Sequence, residues 1–237
     1  MTRTVVRYDE ATGGEGAAAR TAAVLRRNRR REEPPEDDSV FRRLLGEAGW
    51  RRLSPEVRRR FGVEAEAIRH YAGFMSEVRL SRLGWLLAQV CRLIGTPLAP
   101  WRGREVPVLA RVYRDARRGG TVWERFYCYP ARPPVRVAST KVCDRAAGLM
   151  EVVSGGLGMY LRLFERDGAL CFESRGYFWQ VLDRRLPLPG LLTPGRTLVS
   201  HAEAGGGSFR FTLEMHHPVF GETVFQTGLF REMGPGN

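Results

Sequence analysis

The sequence predicts an α+β fold: a few N-terminal helices followed by a large antiparallel meander that rolls into a barrel or a strongly curved half-barrel, with a helix-grip arrangement as the alternative. Two observations point there. Between residues 39 and 94, apolar side chains recur at three- and four-residue spacing in short stretches bounded by capping residues. From Arg104 onward the period becomes two and stays two, in runs broken by turn sequences such as Arg118-Gly119-Gly120, Arg132-Pro133-Pro134, Asp167-Gly168 and Gly205-Gly206-Gly207. A sheet that wide curls or closes to hide its edges.

Residues 1–38 combine glycines, an alanine run, the arginines from Arg26 to Arg31 and the acidic stretch EEPPEDD, a composition too poor in apolar groups to pack and expected to be a disordered tail. A single domain is expected over 39–237. Ser39 caps a first helix carrying Val40, Phe41, Leu44, Leu45 and Ala48. Ser54-Pro55 opens a second, with Val57 and Phe61 buried. Ile68–Ser76 reads as a strand. Leu80 to Ile94 then reads as a core helix through Leu83, Leu87, Val90 and Cys91, ending at Gly95-Thr96-Pro97. Nine strands follow, near 106–114, 121–129, 135–143, 149–154, 158–166, 169–182, 197–204, 209–217 and 223–231. Between the seventh and its predecessor, Arg184 to Gly195 sets three prolines and two glycines among four leucines. Such a segment is barred from a central strand and too greasy for a solvated loop, so it serves either as a lid over the barrel mouth or as cover for a sheet edge.

The chain of 237 residues is 43% hydrophobic, enough for a sizeable core. No run approaches the length of a membrane span and no leader-like segment is seen, so a cytoplasmic address is expected. The four cysteines lack C-x-x-C spacing and read as free thiols. A net charge of +12 raises nucleic acid as a partner, but the basic residues are 37 arginines and one lysine, Lys141. That skew reads as codon composition rather than a phosphate-binding face, and nucleic acid is set aside. No cofactor motif is present: Gly155-Gly156-Leu157-Gly158 has neither the G-x-G-x-x-G spacing nor a helix after it.

The strings GLGMYLRLFERDGALCFESRGYFWQ, LPLPGLLTPGRTLVSH and FRFTLEMHHPVFGETVFQTGLF resemble an uncharacterised bacterial family, domain-of-unknown-function family 4166, over about Phe41 to Arg231. Members of that family are often fused behind NAD(P)-binding domains resembling saccharopine dehydrogenase or nucleoside-diphosphate-sugar epimerases. The resemblance implies a companion role to a metabolic oxidoreductase and supplies no catalytic residue.

A lumen lined by one parity of these strands would hold a small apolar or aromatic ligand against Phe209, Phe211, Leu213, Met215, Met159, Leu161, Trp179 and His201. Two basic groups suggest the alternative, a cofactor-independent isomerase or cyclase. His217 ends the apolar face of its strand. Lys141, the lysine kept in an arginine-rich chain, shares a parity with Val135, Val137 and Ser139 and can lose a proton as arginine cannot. His201, Glu203 and His217 also match a two-histidine, one-carboxylate set, but the spacing is generic and no metal is assigned. Tyr177, Trp123, Tyr127 and Tyr129 are further rings able to stack on a planar ligand.

Overall fold

A computed structural model describes residues 39–62, 68–95, 98–115, 119–182 and 184–234. The disordered tail expected for 1–38, the helix stop at Thr96-Pro97 and Arg118 of the first turn lie outside the described residues. Three helices, α1 (Val40–Arg52), α2 (Pro55–Gly62) and α3 (Arg82–Cys91), accompany eleven strands: β1 (Arg69–Leu80), β2 (Gly103–Asp115), β3 (Gly120–Tyr127), β4 (Val135–Asp144), β5 (Gly148–Val152), β6 (Leu157–Arg166), β7 (Ala169–Val181), β8 (Arg184–Pro187), β9 (Arg196–Gly205), β10 (Ser208–His217) and β11 (Gly221–Glu232).

The strands form one antiparallel sheet ordered β6-β5-β4-β3-β2-β1-β11-β10-β9-β7, and β6 pairs back onto β7 to close a ten-stranded barrel. Closure decides between the full barrel and the half-barrel or helix-grip alternatives, and it removes the sheet edges that an open meander would expose. The ring is tight where β7 pairs β9 through Leu170–Glu173. Farther along, β7 leaves β9 and its Phe178–Val181 pair the short β8 instead. The Pro- and Leu-rich connection thus contributes an edge strand, as its prolines require.

Helices α1 and α2 sit at the end of the barrel marked by the β6–β7 hairpin, whose Asp167 and Gly168 both adopt positive φ (51° and 78°) as a two-residue turn demands. Ser54 N–H donates to Gly168 O at 2.9 Å, and Arg52 pairs with Glu165 at 2.7 Å. From that anchor Val57 and Phe61 are driven into the lumen, with Phe61 stacked on Trp123 (centroids 5.6 Å apart). The Ser39 cap is present, its hydroxyl accepting from Arg42 N–H at 3.2 Å. Gly46, at φ 72°, breaks α1, so the buried end is Gly49 and Trp50 while Leu44 is left exposed.

Helix α3 corrects the sequence reading. Its contact residues are Gly84 and Ala88, whereas Trp85, Leu86 and Val90 are exposed, so it lies across the barrel's other mouth instead of inside a core. Gly84 permits that approach: a Cβ there would stand 1.9 Å from Thr223 O. Strand β1 also runs to Leu80, four residues beyond its expected end, and Ser81 caps α3 by accepting from Gly84 N–H.

Candidate functional site in the barrel lumen

Inward positions follow the pleat. On the wall formed by β3, β4 and β5, these are Trp123, Arg125 and Tyr127, then Val137, Ser139 and Lys141, then Leu149 and Glu151. Lys141 pairs across the strands with Glu151, Nζ to Oε2 3.1 Å, both side chains almost wholly buried. The ammonium also stands 5.0 Å from the Phe172 ring and 5.2 Å from Trp123. Burial pulls the Lys141 pKa down against the support of Glu151. Burial works against ionisation of Glu151 as well, yet Lys141, Ser139 and Arg125 together hold its carboxyl below the ordinary value. A cluster with two cations and one anion favours the anion's charge and disfavours the lysine's.

Arg125 has its guanidinium 5.3 Å from the Phe211 ring, and its buried Nε has no hydrogen-bond partner. Ser139 Oγ is likewise buried without a well-directed hydrogen bond. These groups form the floor of a cavity of about 120 Å3 walled by Leu157, Met159, Leu213 and Met215 and roofed by Leu87, Cys91, Leu192 and Pro194. The roof confirms the covering role expected of the Arg184–Gly195 segment.

Two residues fasten that roof, Thr223 and Tyr177. Thr223 is fully buried, its carbonyl accepting from Ser81 N–H at the start of α3 while its hydroxyl donates to Pro194 O at 2.6 Å. Tyr177 adds a bond from its hydroxyl to Gly195 O at 2.9 Å and contacts Thr197, with burial pushing the phenol up to about 12. Gly195, at φ 96°, lies so close to β10 that a Cβ would stand 2.2 Å from His216 O. Thr223→Val keeps the volume and removes the hydroxyl. It is expected to cost about 1–3 kcal/mol in urea denaturation, the penalty for leaving Pro194 O unpaired.

The expected ligand residues divide. Met159, Leu213 and Met215 line this cavity. Phe209, Phe211 and His201 lie deeper, around a gap of about 30 Å3, and Leu161 packs in the core. Trp179 is half exposed on the β7–β8 extension, its Nε1 donating to Gly155 O, and does not reach the cavity. His201 is ringed by Phe61, Trp123, Phe172, Phe209 and Phe211. Burial, reinforced by Arg60, Lys141 and Arg125, drives its pKa well below 6.5. In NMR titration its ring is therefore expected to keep neutral-imidazole shifts throughout the range in which an exposed histidine gains its proton.

His217 is not brought to Lys141. It is buried at the far end of β10, packed on Phe220, its Nδ1 accepting from Val219 N–H (3.1 Å) and Phe220 N–H (3.3 Å). Those bonds place the ring proton on Nε2, which has no partner. Across the β9–β10 ladder His201 faces Phe211, about 20 Å along the strand from His217, and Glu203 is exposed. Among the described residues, no group of three His, Cys, Asp or Glu is arranged to hold a metal ion. No helix among them is long and apolar enough to cross a membrane. Near the α1–α2 end a second cavity of about 320 Å3 is lined by Lys141, Arg60, Arg69, Tyr71 and Trp123.

Arg125 and Glu151 are the site residues that sequence reasoning missed, although both share a parity with recognised inward neighbours. Neither the curated proteins nor the solved structures contain a match to this chain. The model of one family, described as a domain of unknown function (DUF4166), matches residues 53–230, from the end of α1 to the last inward ring of β11. On that match, which takes in all eleven strands, the chain belongs to the DUF4166 family.

Proposed function

We propose that the barrel binds a small apolar or aromatic molecule in the cavity between the Arg125–Glu151 floor and the α3 roof. What supports this reading is the coincidence of apolar walls with unpaired polar atoms in one covered space, the usual make-up of a ligand site. Native mass spectrometry of freshly purified protein tests it, together with uptake of a hydrophobic dye. A bound small molecule, displaced when Leu213→Trp fills the cavity, is the expected result; a chain free of ligand and indifferent to dye would end the proposal.

The companion role to an NAD(P)-dependent oxidoreductase rests on the family resemblance. Co-purification with such an enzyme from a native lysate, lost on blocking the cavity, is its test. The isomerase or cyclase alternative retains Lys141, buried beside a carboxylate with its pKa pulled down, as a proton-transfer group, but His217 is remote from it. Lys141→Arg separates the two readings, since charge survives the change and proton transfer does not.

A further inference from the structure

Several arginines on the outer wall are matched with acids. Glu124 holds Arg111 and Arg136, Glu173 holds Arg162 and Arg196, and Glu165 holds Arg52. Arg125 differs. Among the described residues it has no ion-pair or hydrogen-bond partner, only the face of Phe211, and yet it lies inside the barrel on the cavity floor. Arg125 as a whole is half-buried, but its buried Nε–H, left without an acceptor, carries a desolvation penalty that an arriving acceptor would relieve. Lys141 and Glu151 neutralise each other, so Arg125 leaves the floor with one net positive charge. Beside it the Ser139 hydroxyl is a second group with no well-directed bond.

Resting on the binding reading above, we infer that the ligand is a monoanionic amphiphile, a carboxylate with an apolar body, whose head docks on Arg125 and Ser139 while its tail points toward Leu87 and Leu192 under the roof. The planar guanidinium fork matches the two oxygens of a carboxylate, and the serine hydroxyl supplies another donor. Glu151 on the same floor repels a second negative charge, which disfavours phosphate dianions. A cavity of about 120 Å3 accommodates a body on the order of five or six non-hydrogen atoms, the scale of a short-chain acid.

Isothermal titration of the full chain with butyrate and valerate, against butanol and pentanol, tests this. The carboxylates are expected to bind at least about tenfold more tightly than their neutral counterparts, the weight of a charged hydrogen-bonded pair. Arg125→Met is expected to erase that preference, so that butyrate and butanol bind that variant about equally. Should that variant fail to fold, Arg125→Lys keeps the charge without the fork and is expected to narrow the preference for butyrate over butanol severalfold. Equal affinity of the wild-type chain for butyrate and butanol overturns the anionic head and leaves the cavity reading standing. Failure of all four compounds to bind overturns both.

Discussion

Replacing Glu151 with glutamine is expected to destabilise the fold by about 3–5 kcal/mol, because it strands the Lys141 ammonium in the lumen without its counter-charge. The pair itself is not a source of that much stability. Exchanging both members for apolar groups of similar size, Lys141→Met with Glu151→Leu, is expected to return urea stability to about the wild-type value or above it. The signs of the pH dependence follow from the two pKa shifts. Lys141 is depressed in the folded state, so between that value and its ordinary 10.5 the unfolded chain binds more protons, and stability rises with pH across that window. Glu151 is held below 4.5. Its contribution is present above 4.5 and is lost as pH falls through the folded value. Stability curves of the wild type and the double apolar variant should therefore diverge at both limbs. Superimposable curves would show that the pair does not titrate differently on folding.

A methyl group at Gly73 is expected to cost about 3 kcal/mol, the upper range for overpacking, since a Cβ there would stand 2.0 Å from Leu229 O. Gly228 on the facing strand is similarly pressed, 2.4 Å from Phe74 O. Both glycines sit on the β1–β11 pairing, beside the bulge at Ser76. Neither neighbour is a flexible side-chain end, so relief requires the backbones to separate, which opens the ring. Gly73→Ala should accordingly lower the urea midpoint and raise binding of a hydrophobic dye. Gly190→Ala, in open space, is expected to change stability by less than about 0.5 kcal/mol.

Much of the barrel was legible because burial on one face imposes alternation, and the strands from β2 to β11, apart from the short β8, lie within a few residues of where alternation places them. What escaped has identifiable causes. The bulge between Met75 and Glu77 resets the parity of β1, so Val78 and Leu80 return to the inside, while Leu80 stands three residues before Leu83 and so reads as the start of the helix. An apolar stripe on α3 does not say which side meets the barrel, and the small Gly84 and Ala88 decide that through close approach. Glu151 was hidden in a five-residue strand, where the expectation that acids face outward overrode its inward position between Leu149 and Val153. Arg125 was one arginine among 37. Its meaning comes from its missing partner, and absence of a partner is a property of three-dimensional neighbours.

Nine of the ten neighbouring pairs around the ring join strands that follow one another along the chain or nearly so, and β1 with β11 is the tenth. Roughly 140 residues separate the end of β1 from the start of β11. At the pace of translation, on the order of ten residues per second, β1 waits roughly ten seconds or more for its partner. Until then the ring is one strand short and its apolar inner face lacks its last wall. A chain cut short before Gly221 therefore lacks the strand that closes the ring, and with it the enclosed lumen.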